Sequence, residues 1–216
     1  MPATLEFITE QVLLSEELRA GRETMLDPED LPGKYGRVVR EVNEILQLIK
    51  CEAVVAGGWA AWYRGYVDRV AQNVEIVLPA NRIEEFRQIA AISGFELVPS
   101  ADGRWPLLIH KATSVKLHIL LEGARPYTSS RQAPTTIPTP RAMGAQGWRL
   151  RYMSLTSLIE LKLATGWHRD LVDVMALAIA NRSRLEEIRN HLANVLPDYA
   201  AQFEQLVKEA EEQADD

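Results

Sequence analysis

Asn73 and Glu75 lie two residues apart in Asn73-Val74-Glu75-Ile76-Val77-Leu78, a run that alternates polar and apolar before it becomes wholly apolar. In a strand that spacing sends both side chains to one face. Two oxygen donors so placed are how a strand presents ligands to a hard divalent cation, although here one donor is a neutral amide and only the other a carboxylate. Upstream, an apolar run from Ala53 to Ala56 ends in Gly57-Gly58, a pair that permits a tight turn. Downstream, the alternation in Val115 to Leu121 puts Val115, Leu117, Ile119 and Leu121 on one face and Lys116, His118 and Leu120 on the other. A further cluster comprises Lys162, Arg169, Asp170 and Asp173. Lys162 sits among Leu161, Leu163 and Ala164, so its ammonium must reach out of an apolar surface or find a carboxylate. An ion-pair lattice tying two helices together is one arrangement that would satisfy it.

The order of glycine pair, short helix, Arg69 and alternating strand resembles the nucleotidyltransferase superfamily. That superfamily's signature is Gly-Gly or Gly-Ser, a spacer, and an Asp-x-Asp strand that holds magnesium. A second stretch, Ser154-Leu155-Thr156-Ser157-Leu158-Ile159-Glu160-Leu161-Lys162-Leu163-Ala164 followed by His168-Arg169-Asp170-Leu171-Val172-Asp173-Val174, resembles the helical segment of abortive-infection-type nucleotidyltransferases. The resemblance extends over roughly residues 36–180. The resemblance implies metal positions at Asn73, Glu75 and His118, with phosphates facing the backbone of Gly57 and Gly58. It implies a nucleotide-site role for Arg69, and Lys162 as a phosphate contact oriented by Asp170 or Asp173. Glu75, Lys162 and Asp170 would then carry the catalytic roles, with Mg²⁺ and a nucleoside triphosphate as cofactors.

The chain departs from that pattern at the acids. Asn73, Glu75 and His118 all stand where the family carries aspartate, and Ala71 replaces the usual Thr or Ser. With His118 neutral, three negative charges become one. Asn73 offers only a carbonyl, Glu75 has a longer arm, and His118 is a softer ligand better matched to transition metals. The expectation is therefore a degenerate member, a nucleotide- or protein-binding module in a toxin–antitoxin or defence setting. Two alternatives stay open. One is an active enzyme moving a nucleotide onto RNA or protein, with Glu75 joined by Asp68 or Asp102. The other is an interaction scaffold with a vestigial pocket, contacting partners through its acidic C-terminal helix and Pro/Thr loop.

Such a site requires an α/β fold: a small mixed β-sheet flanked by helices in a nucleotidyltransferase-like arrangement, with a helical C-terminal portion. We place an α/β domain with an N-terminal helical extension over 1–150, and a helical region packed on it over 151–216. Residues 4–20 carry Leu5, Ile8, Val12, Leu13 and Leu18 at a loosely helical spacing, and 27–33 read as a loop. A stronger helix spans Arg37 to Lys50. A strand follows from Glu52 to Ala56, then a short helix from Gly58 to Tyr63 and a strand from Gln72 to Leu78. A helix capped by Asn81 runs to Ile92 and stops at Gly94. Strands Phe95–Val98 and Leu107–His110 flank an Asp102-Gly103 turn and lead to the strand Val115–Leu121. A proline-rich crossing loop occupies 122–148. Helices then run from Ser154, as N-cap, to Thr165, closed by Gly166; from Arg169 to Asn181; from near Ser183; and from Tyr199 beyond Pro197.

Composition narrows the partners. In 216 residues, 24 Lys and Arg face 30 Asp and Glu, a net charge of −6, which argues against broad electrostatic binding of nucleic acid. The single cysteine, Cys51, opens an apolar run and reads as a small core residue, excluding an intrachain disulfide and a cysteine-based zinc site. No stretch has the length of a membrane span, and Met1 to Glu10 lacks a signal peptide's pattern, so a cytoplasmic protein is expected. Trp59 and Trp62 could stack on a base, but their helical spacing favours core packing.

Overall fold

The computed structural model describes residues 4–99, 105–126 and 132–215. The expected Asp102-Gly103 turn, and Asp102 as a ligand, lie outside these residues. The chain order is α1 (Leu5–Gly21), α2 (Gly33–Ile49), β1 (Val54–Val55), α3 (Gly57–Tyr63), β2 (Asn73–Leu78), α4 (Ile83–Ile92), β3 (Phe95–Val98), β4 (Leu107–His110), β5 (Lys116–Leu121), β6 (Arg151–Tyr152), α5 (Leu155–Thr165), α6 (His168–Ala180), α7 (Leu185–Val195) and α8 (Pro197–Asp215). The six strands form one mixed sheet in the order β3-β4-β5-β2-β1-β6. β2 runs parallel to β5 and β1 parallel to β6, while the other pairs are antiparallel. This is the mixed, helix-flanked α/β architecture expected from the sequence.

Period-two alternation divides the sheet between two cores. Val55, Ile76, Leu117 and Ile119 pack with the apolar stripe of α2, including Val38, Val42, Ile45 and Leu46, and with Trp59 and Trp62. Both tryptophans are fully buried, which rules them out as base-stacking platforms in this conformation. On the other face, Val54, Ala56 and Val77 pack with α5 to α8 through Leu158, Leu177, Leu192 and Phe203. The C-terminal helices therefore cover the same face that carries Asn73 and Glu75.

Several expectations are corrected. α2 starts at Gly33, earlier than Arg37, with Pro32 as its N-cap, because a proline already lacks the N–H that a helix start leaves unpaired. Asn81 caps nothing; it sits in a 3-10 turn, Ala80–Arg82, that leads into α4. The first strand shortens to Val54–Val55, bordered by β6, a strand the sequence did not suggest. α1 forms where its spacing suggested, with its apolar residues divided between core and solvent. Leu14 and Leu18 are buried against α2's cluster, whereas Leu5, Ile8, Val12 and Leu13 are exposed. Cys51 is buried, as expected.

Candidate functional site

Register sets the first part of the site. β2 and β5 pair in parallel with Asn73 opposite Lys116, Glu75 opposite His118 and Val77 opposite Leu120. Neighbours across a ladder share a face, so Asn73, Glu75 and His118 are brought together as the sequence predicted. Lys116 joins them on that face, and it is exposed. Alternation puts Lys116 on the same face as His118, but only the register shows that it stands across from Asn73. His118 Nε2 is sealed from solvent and has no hydrogen-bond partner among the described residues.

The glycine pair sits against this face. Gly57 has φ of 62°, in the left-handed region that glycine tolerates. A Cβ there would lie 2.5 Å from Glu75 Cδ, so the Glu75 carboxylate rests directly on the bare backbone of the turn. At Gly58 an added Cβ would lie 2.7 Å from Ala71 Cβ and 3.6 Å from Arg69 Cζ. Neither site accepts a side chain without displacement, and the second contact puts Arg69 at the edge of the turn.

Arg69 begins a chain of ion pairs leading away from the sheet. Its Nε donates to Asp173 Oδ1 at 3.0 Å and Oδ2 at 3.3 Å. Lys162 Nζ donates to Asp173 Oδ2 at 2.5 Å and to Asp170 Oδ1 at 2.9 Å. Thr165 Oγ1 closes the chain by donating to Asp170 Oδ2 at 2.6 Å. The local sequence builds this arrangement. Ser154 Oγ accepts the Ser157 N–H at 3.2 Å to start α5, and Gly166, with φ of 63°, ends it just beyond Lys162. Asp170 and Asp173, three apart, share a face of α6 near its start. The second cation of the lattice is Arg69, where the sequence suggested Arg169.

Lys162 and Asp173 are almost wholly buried. Burial works against the Lys162 ammonium, but the Asp170 and Asp173 carboxylates outweigh it, and the pKa stands above the ordinary lysine value. Lys162 is thus a charged group held on all sides by partners. Beside the network an open depression is lined by Tyr66, Arg69, His168 and Arg169. Asp68, on its rim, pairs with Arg19 at 2.5 Å, and both side chains are exposed.

No family model matches the sequence, and no curated protein matches it. Solved structures do. The chain is similar to ANT(2")-Ia, an aminoglycoside nucleotidyltransferase, in complex with adenylyl-2"-tobramycin: the TM-score is 0.51 at 17% identity, over 76% of this chain and 97% of that one. The fold is nucleotidyltransferase-like. A solution structure of ANT(2'')-Ia matches with a TM-score of 0.42 at 13% identity, over 83% of this chain and 94% of that one. The Thermotoga maritima CCA-adding enzyme complexed with tRNA matches with a TM-score of 0.41 at 14% identity, over 87% of this chain and 54% of that one.

Within this nucleotidyltransferase-like fold, the magnesium implied by the resemblance can be tested against the donors present. Mg²⁺ favours a near-octahedral set of oxygens that includes carboxylates. The three positions supply one carboxylate, one amide and one imidazole, and that carboxylate lies against Gly57. Among the described residues, no group of three or more His, Cys, Asp or Glu is placed to hold a metal ion. The donor set does not fit Mg²⁺. No helix among the described residues is long and apolar enough to cross a membrane.

Proposed function

We propose that this protein is a nucleotide-binding module on a nucleotidyltransferase-like fold that no longer transfers nucleotides. The observation that carries the reading is the β2–β5 register. It gathers Asn73, Glu75 and His118 on one face beside Gly57-Gly58 with a single carboxylate among them. A triphosphate and a departing pyrophosphate need their charge neutralised during transfer, and one carboxylate gives the required metal ions too little to bind. Around this face, the glycine turn and the Arg69–Asp173–Lys162–Asp170 network are fully formed. The frame that would hold a nucleotide persists while the clamp for chemistry does not.

Calorimetric titration with ATP, CTP, GTP and UTP is expected to show binding of at least one nucleotide. Incubation with the same nucleotides, Mg²⁺ or Mn²⁺, and RNA or protein acceptors is expected to show no incorporation. Metal-dependent incorporation that disappears in Glu75→Ala would overturn the reading and establish an enzyme with a non-standard site. A second reading, a protein-binding module, is favoured by α1. There Leu5, Ile8 and Val12, spaced along one side of the helix, are 81%, 49% and 51% exposed. Absence of heat with all four nucleotides would leave that reading standing.

A further inference from the structure

We propose that the nucleotide at this site binds as the free polyanion, without a divalent cation, and that Lys116 is one of its phosphate contacts. The inference rests on the nucleotide-binding reading above and adds the charge state of the ligand and a residue to hold it.

The argument is electrostatic. Asn73 and Lys116 form one rung of a parallel ladder, Glu75 and His118 the next but one, and all four share one face. The carboxylate of Glu75 and the ammonium of Lys116 cancel. A divalent cation is therefore offered no net negative charge, and its approach to Asn73 is opposed by a lysine on the same rung. A like charge on the same rung offsets the attraction that one carboxylate supplies. The donor chemistry agrees, since an amide and an imidazole replace two of the hard oxygen anions that such an ion needs.

A triphosphate meets the opposite situation. It carries its own negative charge and requires donors and cations. Lys116 is exposed at the open end of the face and is a compact, mobile donor of the kind that serves phosphate as a point charge. Across the glycine turn, Arg69 borders Gly58, with its Nε held by Asp173. Two anions stand among these groups, Glu75 and the Asp173 that pairs with Arg69, which leaves Lys116 as the exposed cation without a carboxylate on its own rung.

Calorimetry on the full chain with ATP, CTP, GTP and UTP, in EDTA and again in saturating Mg²⁺, tests the proposal. Binding in EDTA is expected to be as tight as in Mg²⁺ or tighter. Lys116→Ala is expected to weaken it about tenfold, the loss of one charge-assisted contact. Lys208→Ala, an exposed lysine on α8, should bind as the unaltered protein does. Binding that requires Mg²⁺, or that is indifferent to Lys116→Ala in a variant with unchanged circular dichroism, overturns the proposal while the nucleotide-binding reading survives. Absence of heat in both buffers removes the reading and the proposal together.

Discussion

Lys162 holds a full charge where the surroundings are least hospitable to one, so its partners decide what its removal costs. With the ammonium gone, Asp170 and Asp173 lose the cation between them, and Asp173 keeps only Arg69. Removing one member of a buried pair costs about 3–5 kcal/mol, mainly because the surviving charge is stranded. Lys162→Met should therefore lower stability by about that amount in urea denaturation. Asp170→Asn, at the more accessible end, should cost much less, since Lys162 keeps Asp173. Equal and small losses would show that the lattice contributes nothing. The sequence was readable here up to a point. Lysine amid leucines had to reach out of the apolar surface or find a carboxylate, and Asp170 and Asp173 lay within reach on the next helix, but the second cation, Arg69, is remote in the chain and no local rule points to it.

At the scale of elements, a buried side chain meets the chain just before β6, and Arg64 donates to the carbonyls of Tyr152 at its end and Met153 just beyond it. Asn43 on α2 accepts the Leu150 N–H through Oδ1 at 2.7 Å and donates through Nδ2 to Glu29 Oε2 at 2.9 Å. α2 thereby guides the chain to the sheet edge, where Arg151 and Tyr152 pair with Val54 and Val55. Asn43→Ala would leave a buried backbone donor without a partner, at a cost of about 1–3 kcal/mol. Hydrogen exchange should quicken in a peptide spanning 150–153 while β2 stays protected; unchanged protection at 150–153 would show that the asparagine does not anchor the strand. The same element marks where sequence reading stops. β3, β4 and β5 follow from alternation and turn chemistry, and α5 from Ser154 and Gly166, because each signal lies inside its own segment. β6 is two residues long, carries no periodicity, and exists only because distant chain segments converge on it. α1 illustrates a related failure: its apolar residues have helical spacing, but spacing cannot say which side meets the core.

The whole molecule resists alkali unevenly, because several buried groups hold their protons more firmly when folded. Burial pushes the Cys51 thiol up to about 11 against an ordinary 9.0. Burial, then the charge of Glu10, pushes Tyr35 to about 12 against 10.0. Tyr152 moves the same way, chiefly through burial, and Lys162 is raised because Asp170 and Asp173 overcome its burial. These residues lie in α2, the α2–β1 connection, β6 and α5, so both faces of the sheet share the effect. A group whose pKa rises on folding lends stability that is complete below its unfolded value and is lost as pH climbs through its folded value. For Cys51 that window runs from about 9 to about 11, and for Tyr35 from about 10 to about 12. Thermal midpoints should therefore fall between pH 9 and 12, and Cys51→Ala should soften the first part of that fall. The buried thiol should also ignore a disulfide reagent at pH 8 until denaturant is added, since the thiolate is the reactive species. Prompt reaction of the native protein at pH 8, with midpoints unchanged up to pH 11, would mean that Cys51 reaches solvent and that the α2–β1 junction is far looser than its packing indicates.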